Sequence, residues 1–175
     1  MSLSTQGVIE SAIEIALNDR EDGELNEKDV ALLRELERFY KSAKKIGIKK
    51  LSKNDRSWAF PIKESNQDGF YVPLEWRGGF FPTDEEMPRR EDKPHIFMAP
   101  LKFRWPLVND AILQHNYRRF TIKGREGHLT VPPKQAFETL GPASFLVVAE
   151  ILEEGEKVFN AVTIDSSSPV YEILE

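Results

Sequence analysis

A short run of cations is the clearest chemical signal in this 175-residue sequence. Residues 41–56 hold seven Lys or Arg side chains and one acid, although the whole chain has a net charge of −5. Lys44, Lys45, Lys49 and Lys50 could contact the phosphates of a nucleic acid, and an acidic protein surface would attract the same lysines. Lys44 and Lys45 would also stabilise the carboxyl end of a preceding helix. The run therefore predicts a contact surface for an anionic partner.

A second group of basic residues lies among aromatic residues between positions 102 and 125. Here Arg118 and Arg119 are candidate phosphate contacts, and Trp105 and Tyr117 are candidates for stacking on bases. In strands, such rings also fit a protein core. The sequence pI of about 5.4 is below the range typical of nucleic-acid-binding domains. Nucleic acid is nevertheless the first partner that this basic and aromatic pattern indicates.

Three histidines, His95, His115 and His128, could take part in metal chemistry. Two of them with a nearby carboxylate would make a metal site, which would suit a small metal-dependent hydrolase or nuclease built within residues 84–128. No regular spacing connects the histidines, and the motifs GxSxG, HExxH, GxGxxG and the Walker loop do not occur. We therefore predict a non-enzymatic protein without a cofactor, with the hydrolase as the alternative.

Residues 18–29, NDREDGELNEKD, indicate a third kind of chemistry. Oxygen-bearing side chains recur around Gly23, and Leu25 follows two positions later. This spacing resembles the calcium loop of an EF-hand, where a glycine takes the sharp turn at the sixth place. The resemblance implies a calcium-binding helix-loop-helix protein as a further alternative. Arg20 occupies a ligand position and no second loop is present, so we predict a helical connection that holds no metal.

Two amphipathic helices are predicted around this connection. Apolar residues at helical spacing place the first helix at residues 5–17, and they place the second after Asn26, with a stripe that reaches Ile46. Asn26 is a suitable N-cap, and Gly47 is a suitable stop. Residues 1–50 are therefore predicted to form a helical hairpin.

Residues 51–175 are predicted to form a β-rich unit. Seven prolines lie between residues 57 and 106, and this density argues against long helices and central strands. Short helices are expected at residues 109–116 and 134–140, and the clearest hairpin joins residues 144–152 to 157–165. The predicted fold class is α+β, with the N-terminal helical hairpin packed on a mainly antiparallel β-rich unit with short helices, in one compact domain.

The order of elements in the second half of the chain gives one further resemblance. The segment His128-Leu-Thr-Val-Pro-Pro is followed by a short predicted helix, by Leu140-Gly141 and by a pair of strands. This order resembles the strand–proline–helix–strand units of small DNA-binding pseudobarrels, although other β-rich domains share it. The resemblance implies a DNA-binding β fold.

Composition narrows the function classes. The absence of cysteine excludes disulfides and cysteine-ligated zinc or iron–sulfur sites. The longest uncharged apolar run, residues 143–149, is far shorter than the roughly 20 residues that a membrane-spanning helix requires. We therefore expect a soluble, cytoplasmic protein without a membrane partner. The sequence favours a binding or regulatory module that uses a basic and aromatic surface.

Overall fold

The computed structural model describes residues 26–57, 69–76, 80–120, 127–130 and 132–168, together with residues 7, 10, 14, 59 and 171. These residues contain two α-helices, α1 (Glu27–Ser42) and α2 (Lys53–Ser57). They also contain seven strands: β1 (Lys45–Lys50), β2 (Gly69–Tyr71), β3 (Ile96–Trp105), β4 (Asn109–Phe120), β5 (Gly127–Thr130), β6 (Ser144–Glu153) and β7 (Glu156–Asp165). No helix in this part of the chain is long and apolar enough to cross a membrane.

The seven strands form one curled sheet in the order β1-β6-β7-β3-β4-β5-β2. Neighbouring strands are antiparallel, with the exception of β3 and β7. Those two are parallel and pair at two positions, Phe103 with Phe159 and Arg104 with Asn160. β1 and β2 are therefore the two ends of the sheet.

Helix α1 begins where the sequence predicts. The side-chain oxygen of Asn26 accepts a hydrogen bond from the backbone N–H of Asp29 at 2.8 Å, which is the N-cap geometry. The helix ends at Ser42, so the predicted continuation to Ile46 and the predicted stop at Gly47 are wrong. Residues 45–50 form β1 instead, because they pair along their whole length with β6.

Gly47 lies in the middle of β1 and allows a close contact. A Cβ atom there would lie 2.7 Å from the indole ring of Trp76. Trp76 is buried, so this ring packs directly on the β1 backbone. The glycine is thus required by packing and not by the end of a helix.

Two apolar clusters lie on the two faces of the sheet. On the outer face, α1 packs through Leu32, Leu36 and Phe39 onto side chains of β6 and β7. The inner cluster fills the curl of the sheet, and its rings include Phe103 and Phe159, whose centroids are 5.2 Å apart. β6 is buried on both faces, which explains its nearly continuous apolar sequence.

The predicted fold class is wrong in its helical part. The described chain is mainly a seven-stranded half-barrel, and α1, with 16 residues, is its one helix longer than two turns. The first helix of the predicted hairpin, residues 5–17, lies outside the described residues apart from Gly7, Glu10 and Glu14. β1 precedes the predicted boundary at residue 50 and yet is part of the sheet.

Two expectations for the β unit are also wrong. Residues 109–116, predicted as a helix, belong to β4, where pairing with β3 decides the conformation. β3 has strands on both sides and nevertheless contains Pro100. The proline is tolerated because β7 pairs with β3 at Phe103 and Arg104 only, so the ladder does not require a donor at Pro100.

Candidate nucleic-acid interface

The first predicted basic set lies along an edge of the sheet. Lys44 immediately precedes β1, and Lys45 and Lys50 are the first and last residues of that strand. All three are exposed. At a rise of about 3.4 Å per residue, the strand from Lys45 to Lys50 spans about 17 Å. The strand therefore has exposed cations at its two ends, and Lys45 and Lys50 project from opposite faces of the sheet because they are five residues apart.

Lys49 has a different environment from these three. Its ammonium lies 2.6 Å from a carboxylate oxygen of Asp55, and 13% of its side-chain surface is exposed. Asp55 is fully buried. The positive charge of Lys49 is therefore neutralised inside the protein, and we remove Lys49 from the candidate phosphate contacts.

Asp55 connects the two ends of the sheet. Its Oδ2 accepts hydrogen bonds from Lys49 of β1 and from the backbone and hydroxyl of Ser52, both at 2.8 Å. Its Oδ1 accepts from the backbone N–H of Tyr71 in β2 at 2.9 Å. One buried carboxylate thus joins β1 to β2 and closes the curl, a contact that we call the Asp55 seam.

The local sequence explains why Asp55 lies there. The Ser52 hydroxyl also accepts from the backbone N–H of Asp55, so Ser52 and Asp55 form a reciprocal capping box at the start of α2. The spacing Ser52-Lys-Asn-Asp55 is the sequence signal of such a box. This spacing is visible in the sequence and could have identified Asp55, which the sequence analysis did not select.

Lys45 also faces a carboxylate. It lies directly opposite Glu150 on β6. Glu150 is buried, and its Oε1 lies 3.2 Å from the ammonium of Lys157. Lys50 faces the other side, with its ammonium 5.9 Å from the Phe145 ring centroid. Lys44 and Lys50 are both exposed, and the residue directly opposite Lys50 in the sheet is Phe145.

The second predicted basic set lies in another part of the sheet. Arg118 and Arg119 are on β4, and three strands separate β4 from β1. Arg118 pairs with Met98 and His128, and its Nε is buried without a hydrogen-bond partner. Arg119 pairs with Phe97 and Gly127. The structure does not bring the two basic sets onto neighbouring strands.

Trp105 and Tyr117 lie in the core, where they cannot stack on bases. Their exposed fractions are 1% and 0%. The Trp105 indole N–H donates to Nε2 of His115 at 2.8 Å, and the Tyr117 ring lies 5.2 Å from that of Phe81. Both side chains belong to the inner cluster because they occupy the inward-facing positions of β3 and β4. The predicted stacking role does not fit these positions.

The three histidines occupy separate environments. His95 is exposed, His115 is buried in the inner cluster, and the ring of His128 contacts Tyr71 at 4.4 Å between centroids. Burial lowers the pKa of His115 to about 4. Among the residues that the structure describes, no three His, Asp or Glu side chains are placed to hold a metal ion. The described chain therefore does not assemble the predicted hydrolase site.

The EF-hand-like loop lies mostly outside the described residues. Its last four positions are described, and there Asn26 and Asp29 form the cap of α1. The amide oxygen of Asn26 is thus used within the helix start. Calcium binding by residues 18–25 stays untested.

The comparisons with known proteins give one structural likeness. No protein-family model matches the sequence, and no curated protein matches it either. Among solved structures, the chain is similar to the B3 domain of the UbaLAI restriction endonuclease, crystallised with cognate DNA. The two chains are 17% identical, the alignment covers 80% of this chain and 81% of that one, and the TM-score is 0.48. This likeness is too weak to place the chain in a family or to assign it a function.

Proposed function

We propose that this chain is a non-enzymatic nucleic-acid-binding module that contacts phosphates through the edge of β1. The observation that supports it is the set of exposed lysines at the two ends of β1, an end strand of the sheet: Lys44 and Lys45 at its start and Lys50 at its end. Lys53, at the start of α2, is also exposed and extends this set. The cations are concentrated here although the chain as a whole is acidic.

The spacing of these lysines suits a phosphate backbone. A duplex carries one negative charge per about 1.7 Å of its axis with both strands counted, so a stretch as long as this edge, about 17 Å, carries on the order of ten phosphates, of which the edge faces a part. Three or four lysines would neutralise a corresponding number of them. Each neutralised phosphate contributes about −0.9 to the slope of log affinity against log salt. We therefore expect a slope near −3.

Two other roles would use the same lysines. Lysine on an end strand prevents one sheet from pairing with another, since the charge opposes edge-to-edge contact. An acidic protein surface would be attracted by the same charge. Neither edge protection nor contact with an acidic protein requires affinity for nucleic acid. Binding of nucleic acid to the isolated chain therefore separates the proposal from both.

The test compares two variants that each remove two positive charges. Lys44→Gln with Lys50→Gln removes cations from the edge, and Lys28→Gln with Lys41→Gln removes two exposed cations from α1. Affinity for a fluorescent duplex and for a single strand of equal length is measured by anisotropy at several salt concentrations. We expect the edge variant to lower the salt slope by about 2, because two phosphate contacts are lost. The α1 variant should keep the wild-type slope.

Two outcomes would overturn the proposal. The first is that the wild-type chain binds neither nucleic acid at low salt. The second is that both variants reduce affinity equally, because the effect would then come from net charge and not from the edge.

A further inference from the structure

The chain contains two Arg-Arg dipeptides, Arg89-Arg90 and Arg118-Arg119, with 27 residues between them. The fold brings them to the two sides of the first residues of β3. Arg89 forms an antiparallel bridge with Phe97, and Phe97 pairs on its other side with Arg119. The sequence analysis selected Arg118 and Arg119 as candidate phosphate contacts and did not select Arg89 or Arg90.

The register places one arginine of each dipeptide on the same face. Hydrogen bonds from Arg90 N to Ile96 O and from Met98 N to Pro88 O, at 2.9 and 3.1 Å, lie on either side of the bridge. Arg89 and Phe97 are therefore a non-hydrogen-bonded pair, the kind in which side chains approach most closely. Residues directly opposite each other project from one face of a sheet. Arg89, Phe97 and Arg119 thus form a row, with the two arginine Cα atoms about 10 Å apart.

Phe97 supports the guanidinium of Arg89. The guanidinium carbon lies 5.1 Å from the centre of the Phe97 ring, which is the distance of a cation–π contact. Phe97 is 7% exposed, so the ring is held in place by the core. Arg89 itself is exposed. Its charge is therefore positioned by an apolar contact that leaves its five N–H donors for a ligand.

The arginine that follows Arg89 in the sequence has a carboxylate partner, and so do two cations farther along β3. Arg90 binds both oxygens of Asp92, at 2.9 and 2.6 Å, and Lys102 and Arg104 of β3 pair with Glu156 and Glu153. Arg89 has no carboxylate partner in the described part of the chain. Its charge is thus left uncompensated, whereas the charge of Arg90 is neutralised by Asp92.

We infer that Arg89 and Arg119 form a second anion site, which takes phosphodiester groups of the nucleic acid bound at the β1 edge. The identity of this ligand rests on the proposed function. Arginine suits the role because its planar fork donates two parallel hydrogen bonds to one phosphate. β1 and β3 are three strand spacings apart, about 14 Å across the sheet. The registers place Lys45 level with Phe103, six residues or about 20 Å along the strand from Phe97, so Lys45 lies about 25 Å from the row and a polyanion of that length can contact both.

The test uses Arg89→Gln with Arg119→Gln, measured by the same salt titration as the edge variant. We expect the salt slope to fall by about 2, and by about 4 when both pairs of substitutions are combined, because separated sites add. The matched control is Arg90→Gln, which removes an adjacent arginine that Asp92 already neutralises. It should leave the slope unchanged.

A second variant separates the geometry of arginine from its charge. Arg89→Lys with Arg119→Lys keeps both charges and loses the planar forks. If the arginines bind phosphate bidentately, this variant keeps the wild-type salt slope and loses about tenfold or more in affinity. Because no charge is removed, such a loss cannot come from long-range attraction alone.

The results for the two sites are distinguishable. If the arginine variants bind like the wild type while the edge variant is weakened, the second site is wrong and the proposed function stands. If the wild-type chain binds no nucleic acid, both proposals fail. Melting temperatures of all variants are measured beside the titrations. The variant with two lysines keeps a cation over Phe97 at position 89, and it provides the readout if the variant with two glutamines unfolds.

Discussion

At the scale of single residues, the buried contact of Trp105 with His115 fixes a protonation state. Nε2 of His115 accepts the indole hydrogen bond, so the ring proton lies on Nδ1 and the imidazole is neutral. A second proton would put a donor on Nε2, opposite the indole donor. The surrounding side chains are aromatic, with Phe103 5.1 Å away between centroids. The inner cluster therefore favours the neutral ring, which is why the pKa of His115 is lowered to about 4.

This contact predicts a loss of stability in mild acid. The unfolded chain takes up a proton at His115 near the ordinary pKa of about 6.5, and the folded chain does so only near 4. Between these values the unfolded state binds more protons, so the free energy of unfolding falls as the pH falls from 6.5 to 4. The full decrease is about 3 kcal/mol.

Urea unfolding of the wild type and of His115→Gln, at intervals from pH 7 to pH 4, measures this contribution. The difference in unfolding free energy between the two proteins should shrink as the pH is lowered, because only the wild type loses the histidine contribution. A constant difference across this range would show that His115 does not set the pH dependence.

At the scale of elements, the accuracy of the sequence predictions follows how local each signal is. The start of α1 at Asn26 and the β6–β7 hairpin are confirmed, since a cap and a tight turn depend on a few adjacent residues. Residues 109–116, the first part of β4, were predicted as a helix, because the conformation of this strand depends on β3 and β5 and its own residues give no clear period. β1 was assigned to a helix end for the same reason. Strand pairing between distant segments is not visible in a single sequence.

The turn of the β6–β7 hairpin predicts opposite effects at two adjacent positions. Glu154 and Gly155 both have positive φ, 51° and 81°. A Cβ at Gly155 would meet no atom within 4 Å, so the cost of Gly155→Ala is conformational only. We expect Gly155→Ala to lower the unfolding free energy by about 1 kcal/mol and Glu154→Gly to change it little or raise it slightly. Thermal unfolding of both variants tests this, and equal destabilisation by both would contradict it.

At the scale of the whole molecule, the candidate interface could be predicted only in part from the sequence. The positive charge of residues 41–56 is evident in the sequence. The ion pair with Asp55, which neutralises Lys49, becomes evident only from the folded structure. Trp105 and Tyr117 were selected by type, and burial decides against them. Arg89 became a candidate contact only because the structure shows that it pairs with Phe97. Residue type indicates which chemistry is available, and tertiary pairing decides which side chains are left to perform it.

The Asp55 seam predicts a large effect on global stability. Asp55→Ala would leave the mostly buried ammonium of Lys49 without its partner and the backbone N–H of Tyr71 without its acceptor. Loss of one member of a buried ion pair costs about 3–5 kcal/mol. Asp55→Asn keeps an acceptor for Tyr71 and should cost less. Chemical denaturation measures both, with Asp92→Ala, which breaks an exposed pair, as the control.

If the seam is not structural, Asp55→Ala and Asp92→Ala will have similar unfolding free energies. The seam variant must also be checked for nucleic-acid binding at a temperature where it is folded. Retained binding would show that Lys49 and Asp55 maintain the fold and take no direct part in the contact.

The short parallel contact between β3 and β7 divides the sheet into two halves. One half contains β1, β6 and β7, and the other contains β3, β4, β5 and β2; the ladder that joins them has two residue pairs. The Asp55 seam joins the same halves at their opposite margins. The lysine edge belongs to the first half and the row from Arg89 to Arg119 to the second. A nucleic acid that contacts both the lysine edge and the arginine row would form a third connection between the two halves of the sheet. Its affinity would therefore depend on the angle between the halves.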